Sequence, residues 1–469
     1  MAATFALASS ESSVKMDALV GEITQSVQAL RDSWQQSESE LADTSAPSIA
    51  SPELQELRQK LVEASWQLYQ HALGPREYLI SLNVGVHYTA CLKWLCRFGV
   101  FNGIPLEGSI AYNKLAAAIS VPEGALKSVA RMAMTSGLFT EPTPNHIAHS
   151  PTSGMIASNA NLLLCAKFMT EVGVPTASAF ADATQRWPGS LSNTETAYNL
   201  AFDTQLPLFE HLKTLPTRTE QFAGYMKSVT NSEGTSLKHL VNGYDWGALL
   251  QDSLVVDVGG STGHASIAIA ETFPGLRFVV QDLATNADAG RESLANAGEN
   301  EAQKDLAARI TFQAHDFFED QSVVGADVYL LRMIIHDWSD DDSVRILSRI
   351  VKAMEPNKAK SSLVVMDSVL PLPGQLPATQ ERLLRLRDLT MRQVFNSRER
   401  TPEEWSALMA RVDPALKLVK TTKPSGSVLS IMEWKHITAP SKIEEQVAKE
   451  EKTAPVAVNG AAAVGLVTA

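Results

Sequence analysis

The pattern of apolar positions divides the chain into two parts of different character. Between Leu54 and about Leu250, apolar residues recur at three- and four-residue spacing, as in LQELRQKLVEASWQLYQHAL, which predicts amphipathic helices. From Leu254 onward, short runs rich in β-branched residues alternate with helical segments such as DDSVRILSRIVKAM. The sequence therefore predicts an α-rich first domain followed by an α/β domain.

Five of the β-type runs are interleaved with helices, which is typical of a parallel sheet. They are LVVDVG, FVVQD, ITFQAHD, ADVYLLRM and SLVVMDSV. Two later runs, KLVKTTKP and GSVLSIMEWK, lie close together and predict a terminal antiparallel pair. The second domain is thus expected to be a Rossmann-like, doubly wound, mostly parallel seven-stranded sheet of the α/β class.

The same patterns give the domain boundaries. Residues 1–53 are expected to be an N-terminal extension containing one helix and the linker SAPSIASPE, and residues 54–250 the α-rich domain. Residues 251–437 form the predicted α/β domain, and residues 438–469 a disordered tail. No secretory signal and no run of about 20 apolar residues is recognised, so a cytoplasmic protein without membrane attachment is expected.

Composition and charge narrow the expected partners. Of 469 residues, 45% are hydrophobic and 20% charged, which is ordinary for a globular protein. The net charge of -12 disfavours attraction to nucleic acid or to an anionic membrane, so a small-molecule partner is expected. Cys91, Cys96 and Cys165 lack zinc-type pairing and are interpreted as small buried apolar side chains.

A helix, a turn, a second helix and a short strand are predicted between Ala111 and Glu141, with Val121, Pro122 and Gly124 supplying the turn. Such a unit suggests DNA recognition. Its second helix, however, offers only Lys127 and Arg131 as cations, against the roughly 6 to 10 phosphate contacts of tight DNA-binding proteins. A role in interaction or dimerisation is therefore favoured over DNA binding.

The strongest local signal is LVVDVGGSTGHASIAIA at residues 254–270, a strand, a glycine turn and a helix. A dinucleotide fingerprint would need glycine at position 258, where Val258 stands. A P-loop would need lysine at position 264, where the chain has His264 followed by Ala265. The turn is therefore expected to bind a ligand other than NAD or a nucleotide phosphate.

Acidic residues end three successive strands behind this turn. Asp257 ends the first, Asp282 the second and Asp316 the third, where Phe317 could flank an adenine. S-adenosylmethionine has no phosphates and carries a sulfonium cation, so carboxylates at this sheet edge suit it. The glycines that would let the ligand approach the backbone are Gly259, Gly260 and Gly263.

Together with LLRMIIHDWSDDD at residues 330–342, these motifs resemble the plant- and fungal-type small-molecule O-methyltransferases, which act on caffeic acid, flavonoids and polyketides. The resemblance covers roughly residues 54–435. It implies the class I methyltransferase fold, a winged-helix dimerisation domain in the α-rich part, a homodimer, and S-adenosylmethionine as cofactor. The implied acceptor is a phenolic hydroxyl of an aromatic, polyketide-derived secondary metabolite.

The resemblance also implies roles for individual residues. It makes His336 in HDWSD the general base, held by Asp367 in MDSVLP and Glu399 in SRERTPEEW. Histidine, with an ordinary pKa near 6.5, is a suitable proton acceptor, and a carboxylate on one ring nitrogen fixes its tautomer. The cofactor-binding positions that the resemblance implies are Gly259, Asp282, Asp316, Phe317 and Arg332, the last standing where relatives often carry lysine.

The acidic run after His336 has a structural interpretation. Asp337 and Asp340 to Asp342 are expected to favour the positive end of the helix that follows. They are not interpreted as metal ligands, because adjacent side chains at a helix start point apart. No metal is therefore expected.

Aromatic and methionine side chains are expected to line the acceptor pocket, because such walls suit a flat apolar ring. The candidates are Phe168, Met169, Trp187, Phe202 and Phe222 from the first domain and Met333 and Met391 from the second. Two other functions stay open. One is a winged-helix regulator with an inactive methyltransferase-like domain, and the other an NAD(P)-dependent oxidoreductase on the same sheet topology.

Overall fold

The computed structural model describes residues 10–40, 52–230, 232–296, 298, 300–357 and 360–436. The predicted tail, residues 438–469, lies outside these ranges. Residues 41–51, which include most of the predicted linker, lie outside them too. The linker prediction is wrong at its end, because Pro52 and Glu53 already belong to a helix. Proline is favoured at the first position of a helix, where its missing N–H costs nothing.

Helices dominate the part before residue 250, as predicted. They are α1 (Ser10–Glu40), α2 (Pro52–Leu73), α3 (Tyr78–Arg97), α4 (Val100–Gly103), α5 (Tyr112–Ala118), α6 (Glu123–Met134), α7 (Pro151–Ser158), α8 (Ala160–Phe168), α9 (Val174–Ser178), α10 (Phe180–Arg186), α11 (Ala197–Phe202), α12 (Leu208–Lys213), α13 (Pro216–Thr230) and α14 (Lys238–Gly243). Three short strands, β1 (Ile110–Ala111), β2 (Thr140–Thr143) and β3 (His146–Ala148), form an antiparallel sheet in the order β1-β3-β2.

The predicted helix–turn–helix corresponds to α5 and α6, followed by β2 and β3. The prediction that Gly124 belongs to the turn is wrong, because Gly124 lies in the first turn of α6. Pro122, whose φ is fixed by its ring, ends the turn just before the helix begins. The left-handed residue in this turn is Ser120, with φ at 57°.

The second part is the predicted α/β unit. Its strands are β4 (Leu254–Val258), β5 (Arg277–Asp282), β6 (Ile310–Ala314), β7 (Val328–Arg332), β8 (Ser362–Asp367), β9 (Leu416–Thr422) and β10 (Ser430–His436). Its helices are α15 (His264–Thr272), α16 (Ala284–Ala295), α17 (Glu301–Arg309), α18 (Asp340–Met354), α19 (Ala378–Phe395) and α20 (Pro402–Val412). The strand order is β6-β5-β4-β7-β8-β10-β9. The first five strands are parallel and β10 is antiparallel to both of its neighbours, so the predicted seven-stranded sheet is confirmed.

Period-2 alternation sends the side chains of each parallel strand to two separate cores. Val255 packs on the face covered by α15, α16 and α17, whereas Val256 packs on the face covered by α18 and α20. Because both faces are covered, the central strands are almost continuously apolar. No helix in the described ranges is long and apolar enough to cross a membrane.

The first and last parts of the chain meet where α2 contacts the start of α19. Helix α19 begins after Pro377, which supplies no side-chain cap of its own. Instead Glu63 of α2 accepts hydrogen bonds from the backbone N–H of Ala378 at 3.2 Å and of Thr379 at 2.9 Å, and from the Thr379 hydroxyl at 2.5 Å. Glu63 therefore acts as a helix cap supplied from a distant part of the sequence.

Removing this cap should destabilise the protein. We expect Glu63→Ala to lower the free energy of unfolding by about 1–2 kcal/mol, the usual cost of losing an N-terminal cap, in urea denaturation at neutral pH. Burial alone would raise the pKa of Glu63, but hydrogen bonds from Thr379 and Gln67 outweigh it and lower that pKa. The benefit is therefore present above the ordinary glutamate pKa, and the difference between wild type and variant should shrink below about pH 4.

Glu56→Ala is the matched control. Glu56 lies on the same helix but pairs only across the solvent-exposed surface with Lys60, at 2.8 Å. Its loss should leave the free energy of unfolding close to that of the wild type, because exposed ion pairs contribute little. Equal effects of the two substitutions would contradict the capping role of Glu63.

Candidate active site

The residues singled out in the second half of the chain gather at one edge of the large sheet. Asp257, Asp282, Arg332 and Asp367 lie at or next to the carboxyl ends of β4, β5, β7 and β8. The strand order reverses direction at β4, whose neighbours are β5 on one side and β7 on the other. The carboxyl edge at such a switch point is where open α/β sheets bind ligands.

The glycine turn after β4 is packed tightly against the rest of the chain. Gly263 has φ at 79°, in the left-handed region, and a Cβ there would lie 2.8 Å from the Phe312 ring. A Cβ at Gly260 would lie 2.6 Å from Cγ of Asp257. Gly259 also has a positive φ, at 73°. All three glycines are thus needed for the turn to pack, in addition to any close approach of a ligand.

Hydrogen bonds within the chain occupy the amides of this turn. Gly259 and Gly260 both donate to the carbonyl oxygen of Gln281, at 2.8 and 3.0 Å, and Ser261 donates to Oδ2 of Asp282 at 2.8 Å. The other carboxylate oxygen of Asp282 accepts from the Leu283 N–H at 2.8 Å. Asp282 therefore holds the turn next to β5, while the remaining lone pairs of its oxygens can accept further hydrogen bonds.

Asp257 points into the protein. It is almost fully buried and accepts a hydrogen bond from the Ser266 hydroxyl at 2.7 Å. Burial raises the pKa of Asp257 to about 6, although Ser266 and Arg332 act in the opposite direction. Arg332 donates to the carbonyl oxygen of Thr235 at 2.6 Å and so connects the sheet edge to the first part of the chain.

Phe317 lies against the glycine turn. Its ring would be 3.7 Å from a Cβ placed on Gly259, and it packs edge-on against Trp338 at a centroid distance of 5.6 Å. Its neighbour Asp316 is exposed and accepts a hydrogen bond from the Phe318 N–H at 3.0 Å. Gly259, Asp316 and Phe317 therefore lie together at one end of the predicted crevice.

His336 lies in a single 3₁₀ turn, Ile335–Asp337, that follows β7, and it is almost fully buried. Its Nδ1 is 3.0 Å from Oε1 of Glu399, with hydrogen-bond geometry, and 3.4 Å from Oδ1 of Asp367. Its Nε2 is 3.6 Å from Oδ1 of Asp337. The structure thus brings together His336, Asp367 and Glu399, which lie up to 63 residues apart in sequence.

Three carboxyl groups control the charge of this imidazole. Burial lowers the pKa of His336, but Asp367, Glu399 and Asp337 outweigh it and raise that pKa to about 9. Burial also raises the pKa of Asp367 and raises that of Asp337 to about 6. Burial would raise the pKa of Glu399 too, but His336 and Arg387 outweigh it, so the pKa of Glu399 is lowered. Of the three carboxyl groups, Glu399 is the one whose pKa lies below its ordinary value.

Ligand atoms of His336, Asp367 and Glu399 lie within 4.8 Å of one another, a spacing that one cation could bridge. Positive charge is already supplied to this cluster by Arg387, whose Nε is 3.4 Å from Oε1 of Glu399. We therefore assign no metal to the cluster.

Comparison with known proteins gives the family. The sequence profile of the O-methyltransferase domain matches residues 186–412. The O-methyltransferase aurJ of Gibberella zeae is 46% identical over 389 residues, which cover 82% of this chain and 88% of aurJ. The chain belongs to the O-methyltransferase family. This membership confirms the predicted S-adenosylmethionine-dependent O-methyltransferase and decides against an oxidoreductase.

Solved structures share the fold of this O-methyltransferase. The complex of OxaC with sinefungin and meleagrin superposes with a TM-score of 0.68 at 22% identity, covering 88% of this chain and 99% of OxaC. The complex of LepI with S-adenosylmethionine gives a TM-score of 0.66 at 23% identity, covering 88% of this chain and all of LepI. The class I methyltransferase fold is therefore confirmed.

A further group, Arg400, holds the histidine turn of the O-methyltransferase and is marked by no sequence motif of its own. Arg400, which is fully buried, donates to the carbonyl oxygens of Ile335 at 3.2 Å and Trp338 at 3.0 Å, on either side of His336. The Ser397 hydroxyl lies 2.5 Å from the His336 carbonyl oxygen. The segment that supplies Glu399 to the imidazole thus also fixes the backbone around it. Its only sequence signal is adjacency to Glu399.

The hydrogen bonds of Arg400 to the histidine turn form a clamp, and Asp340 is the counter-ion of its guanidinium group. Both Nε and Nη2 of Arg400 donate to its Oδ1, at 3.0 and 2.8 Å, and Arg398 donates to its Oδ2 at 2.7 Å. Asp340 lies in the first turn of α18, as expected, but the helix cap is Ser339, whose hydroxyl accepts from the Asp342 N–H. The interpretation of Asp340 as only a helix-end charge is therefore incomplete.

The predicted acceptor-lining residues of the O-methyltransferase are only partly brought together. Phe168, Phe202 and Phe222 belong to one aromatic cluster that also includes Phe395 of α19. Phe168 is buried inside it. Four candidates lie elsewhere or at its margin: Met169 is half exposed, Trp187 packs under the Arg186 guanidinium, Met333 packs against the sheet, and Met391 is half-buried on α19.

Neutralising Asp340 should weaken the clamp. We expect Asp340→Asn to lower the free energy of unfolding by about 2 kcal/mol. This is less than the roughly 3–5 kcal/mol typical of breaking a fully buried pair, because the Asp340 side chain is one-third exposed. Guanidinium denaturation would measure the difference. Asp341→Asn is the control, since Asp341 is highly exposed where it pairs with Arg411 and should contribute less than about 0.5 kcal/mol. A control as damaging as Asp340→Asn would refute the clamp.

Proposed function

We propose that this protein transfers the methyl group of S-adenosylmethionine to a phenolic hydroxyl of an aromatic small molecule, with His336 as the general base. The observation that carries the proposal is the buried hydrogen bond from the imidazole to the buried carboxylate of Glu399, at the sheet edge where a ligand is expected. A histidine held in this way is prepared for proton transfer.

The chemistry requires a base, because a phenol with a pKa near 10 is largely protonated at neutral pH. Glu399 accepts the Nδ1 proton of His336, which leaves Nε2 as the nitrogen that takes the proton of the acceptor hydroxyl. The imidazolium that results is stabilised by the negative charge of Glu399. General bases positioned in this way contribute roughly 10²- to 10⁴-fold in rate.

The sheet edge suits a cofactor that lacks phosphates. The amides of Gly259 and Gly260 are both used by the Gln281 carbonyl and that of Ser261 by Asp282, so these three donors are already committed within the chain. Carboxylates are present instead, and Asp282 retains lone pairs for ribose hydroxyls while Phe317 lies where an adenine could stack. The residues that would hold the cofactor are Asp257, Gly259, Gly260, Gly263, Asp282, Asp316, Phe317 and Arg332. When bound, S-adenosylmethionine supplies a methyl group on a cationic sulfur.

The acceptor is expected to be flat and apolar. The cluster that contains Phe202, Phe222 and Phe395 joins α11 and α13 to α19, the helix that also supplies Arg387 next to Glu399. Aromatic walls at this position would orient a ring towards His336. A polyketide-derived phenol follows from the resemblance to fungal enzymes of this family.

Loss of His336 should abolish the chemical step without abolishing cofactor binding. We expect His336→Ala to reduce methyl transfer from radiolabelled S-adenosylmethionine to a phenol panel by at least about 10²-fold. Titration calorimetry should give the same cofactor affinity for both proteins.

The control for this experiment is His146→Ala, on β3 of the small sheet and away from the large sheet edge. It should keep the wild-type rate. Full activity of His336→Ala would show that the histidine is structural, and would leave only a regulatory or a differently catalysed function. Failure of the wild type to methylate any phenol would count against a phenolic acceptor.

We also propose that the protein is a homodimer. Apolar side chains at the start of α3 are more than half exposed. The α3 residues are Tyr78, Leu79, Ile80 and Leu82. Large contiguous apolar patches are uncommon on monomers and usually mark protein interfaces. A second copy would cover this surface.

Charge placed on the apolar start of α3 should separate the subunits. We expect the double variant Leu79→Glu, Ile80→Glu to elute as a monomer in size-exclusion chromatography with light scattering, because a buried unpaired carboxylate is costly at an interface. Val324→Glu changes an equally exposed apolar residue before β7 and should leave the dimer intact. A monomeric wild type, or a dimeric double variant, would refute this interface.

A further inference from the structure

Asp367 is the least satisfied polar group in the active site. It ends β8, its side chain is completely buried, and neither of its carboxyl oxygens has a hydrogen-bond partner among the residues that the structure describes. Glu399 is equally buried, but its Oε1 accepts the Nδ1 hydrogen of His336 at 3.0 Å and lies 3.4 Å from Nε of Arg387. The two carboxyl groups thus occupy very different environments.

One imidazole hydrogen cannot satisfy both of them. Nδ1 carries a single hydrogen, and its hydrogen-bond geometry selects Glu399. Asp367 Oδ1 is farther away, at 3.4 Å, and does not meet that geometry. An ionised carboxylate that is buried without a donor is strongly disfavoured, and the usual response is to take up a proton.

The charged groups around Asp367 do not supply a partner either. Those that face it are His336 and Asp337 in the 3₁₀ turn, Glu399 and Arg400 in the following segment, Arg387 on α19 and Arg332 at the end of β7. The hydrogen bonds of the three arginines go elsewhere: Arg387 to Ser368, Arg400 to Asp340 and backbone carbonyls, and Arg332 to Thr235.

We propose that Asp367 is a positioning residue held as a neutral carboxylic acid, and that Glu399 alone carries the negative charge that orients His336. The inference rests on the proposed role of His336 as base. Two carboxyl groups crowded at one site commonly share a single proton. Here the donor-poor member keeps it, and carboxyl oxygens of Asp367 and Glu399 lie within 4.8 Å of each other, close enough to interact directly. The proton stays on Asp367 while Nε2 takes the proton of the acceptor.

A neutral Asp367 also makes the raised pKa of His336 compatible with its role as a base. With every neighbouring carboxyl group ionised, the pKa of His336 is raised to about 9, and an imidazolium at neutral pH cannot accept a proton. The charge of Asp367 makes a larger contribution to that increase than the charge of either other carboxyl group. A neutral Asp367 removes its contribution, so the imidazole is unprotonated in a larger fraction of molecules. Burial of Asp367, which raises its own pKa, acts in the same direction.

Isosteric amides at the two positions provide the test. Asparagine resembles a neutral aspartic acid, so Asp367→Asn should leave the acid limb of the pH–rate profile within about half a pH unit of wild type, whatever the change in kcat. Glu399→Gln removes the charge and should reduce kcat by at least about 10²-fold. A shift of the acid limb of Asp367→Asn by a full unit or more to lower pH would show that Asp367 is ionised, and would overturn the proposal.

Two measurements do not depend on methyl transfer. The imidazole of His336, followed by NMR titration, should keep its midpoint in Asp367→Asn and shift to lower pH in Glu399→Gln. Infrared spectroscopy of the wild type labelled with ¹³C-aspartate should show a protonated carboxyl group at neutral pH that is lost in Asp367→Asn. Absence of that band in the wild type would refute the proposal even if the variant fails to fold. A fully active His336→Ala would instead refute the base assignment, so the two failures are distinguishable.

Discussion

The hydrogen bond between Nδ1 of His336 and Glu399 is the contact on which the organisation of the sheet edge depends. It joins a 3₁₀ turn after β7 to a segment between α19 and α20, and both ends are buried. A buried imidazole and carboxylate are costly unless each satisfies the other and the backbone is held in place. Much of the surrounding structure meets that requirement. Arg400 and Ser397 fix the carbonyl groups around His336, and Asp340 balances the charge of Arg400.

Charge is distributed unevenly around this contact, and that unevenness matters for catalysis. Arg387 lies next to Glu399, whereas Asp367 has no committed cation. Cation placement thus divides two similar carboxyl groups into one that is acidic and one that holds its proton. A general base works best when its own pKa is near the operating pH. Surrounding a histidine with carboxyl groups is compatible with that requirement only if some of them are neutral.

Local sequence patterns are sufficient to predict the seven strands, the antiparallel pair at the end of the chain and the carboxyl groups at the strand ends. The reason is that period-2 alternation and the succession of strands and helices depend only on neighbouring residues. The pairing of His336 with Glu399 and Asp367 required the family resemblance, since no local pattern relates residues 63 positions apart. Arg400 could not be found in this way. Arg400 binds backbone carbonyl groups that only the three-dimensional shape of the turn brings within its reach. In the sequence, Arg400 stands out only as the neighbour of Glu399. The prediction for Gly124 is wrong because a glycine two residues after a proline is typical of a turn, yet Pro122 alone suffices to end this one.

The contact of Glu63 with the start of α19 gives helix α2 a structural role near the active site. Helix α19 is capped at one end by α2, carries Arg387 along its length and leads at its other end into the segment that supplies Ser397 and Glu399. Helix α2 is therefore connected to the active site through one continuous helix, α19. Shortened or domain-swapped versions of the enzyme that discard α2 would lose an anchor of the catalytic segment, so the catalytic sheet is not an independent module for engineering.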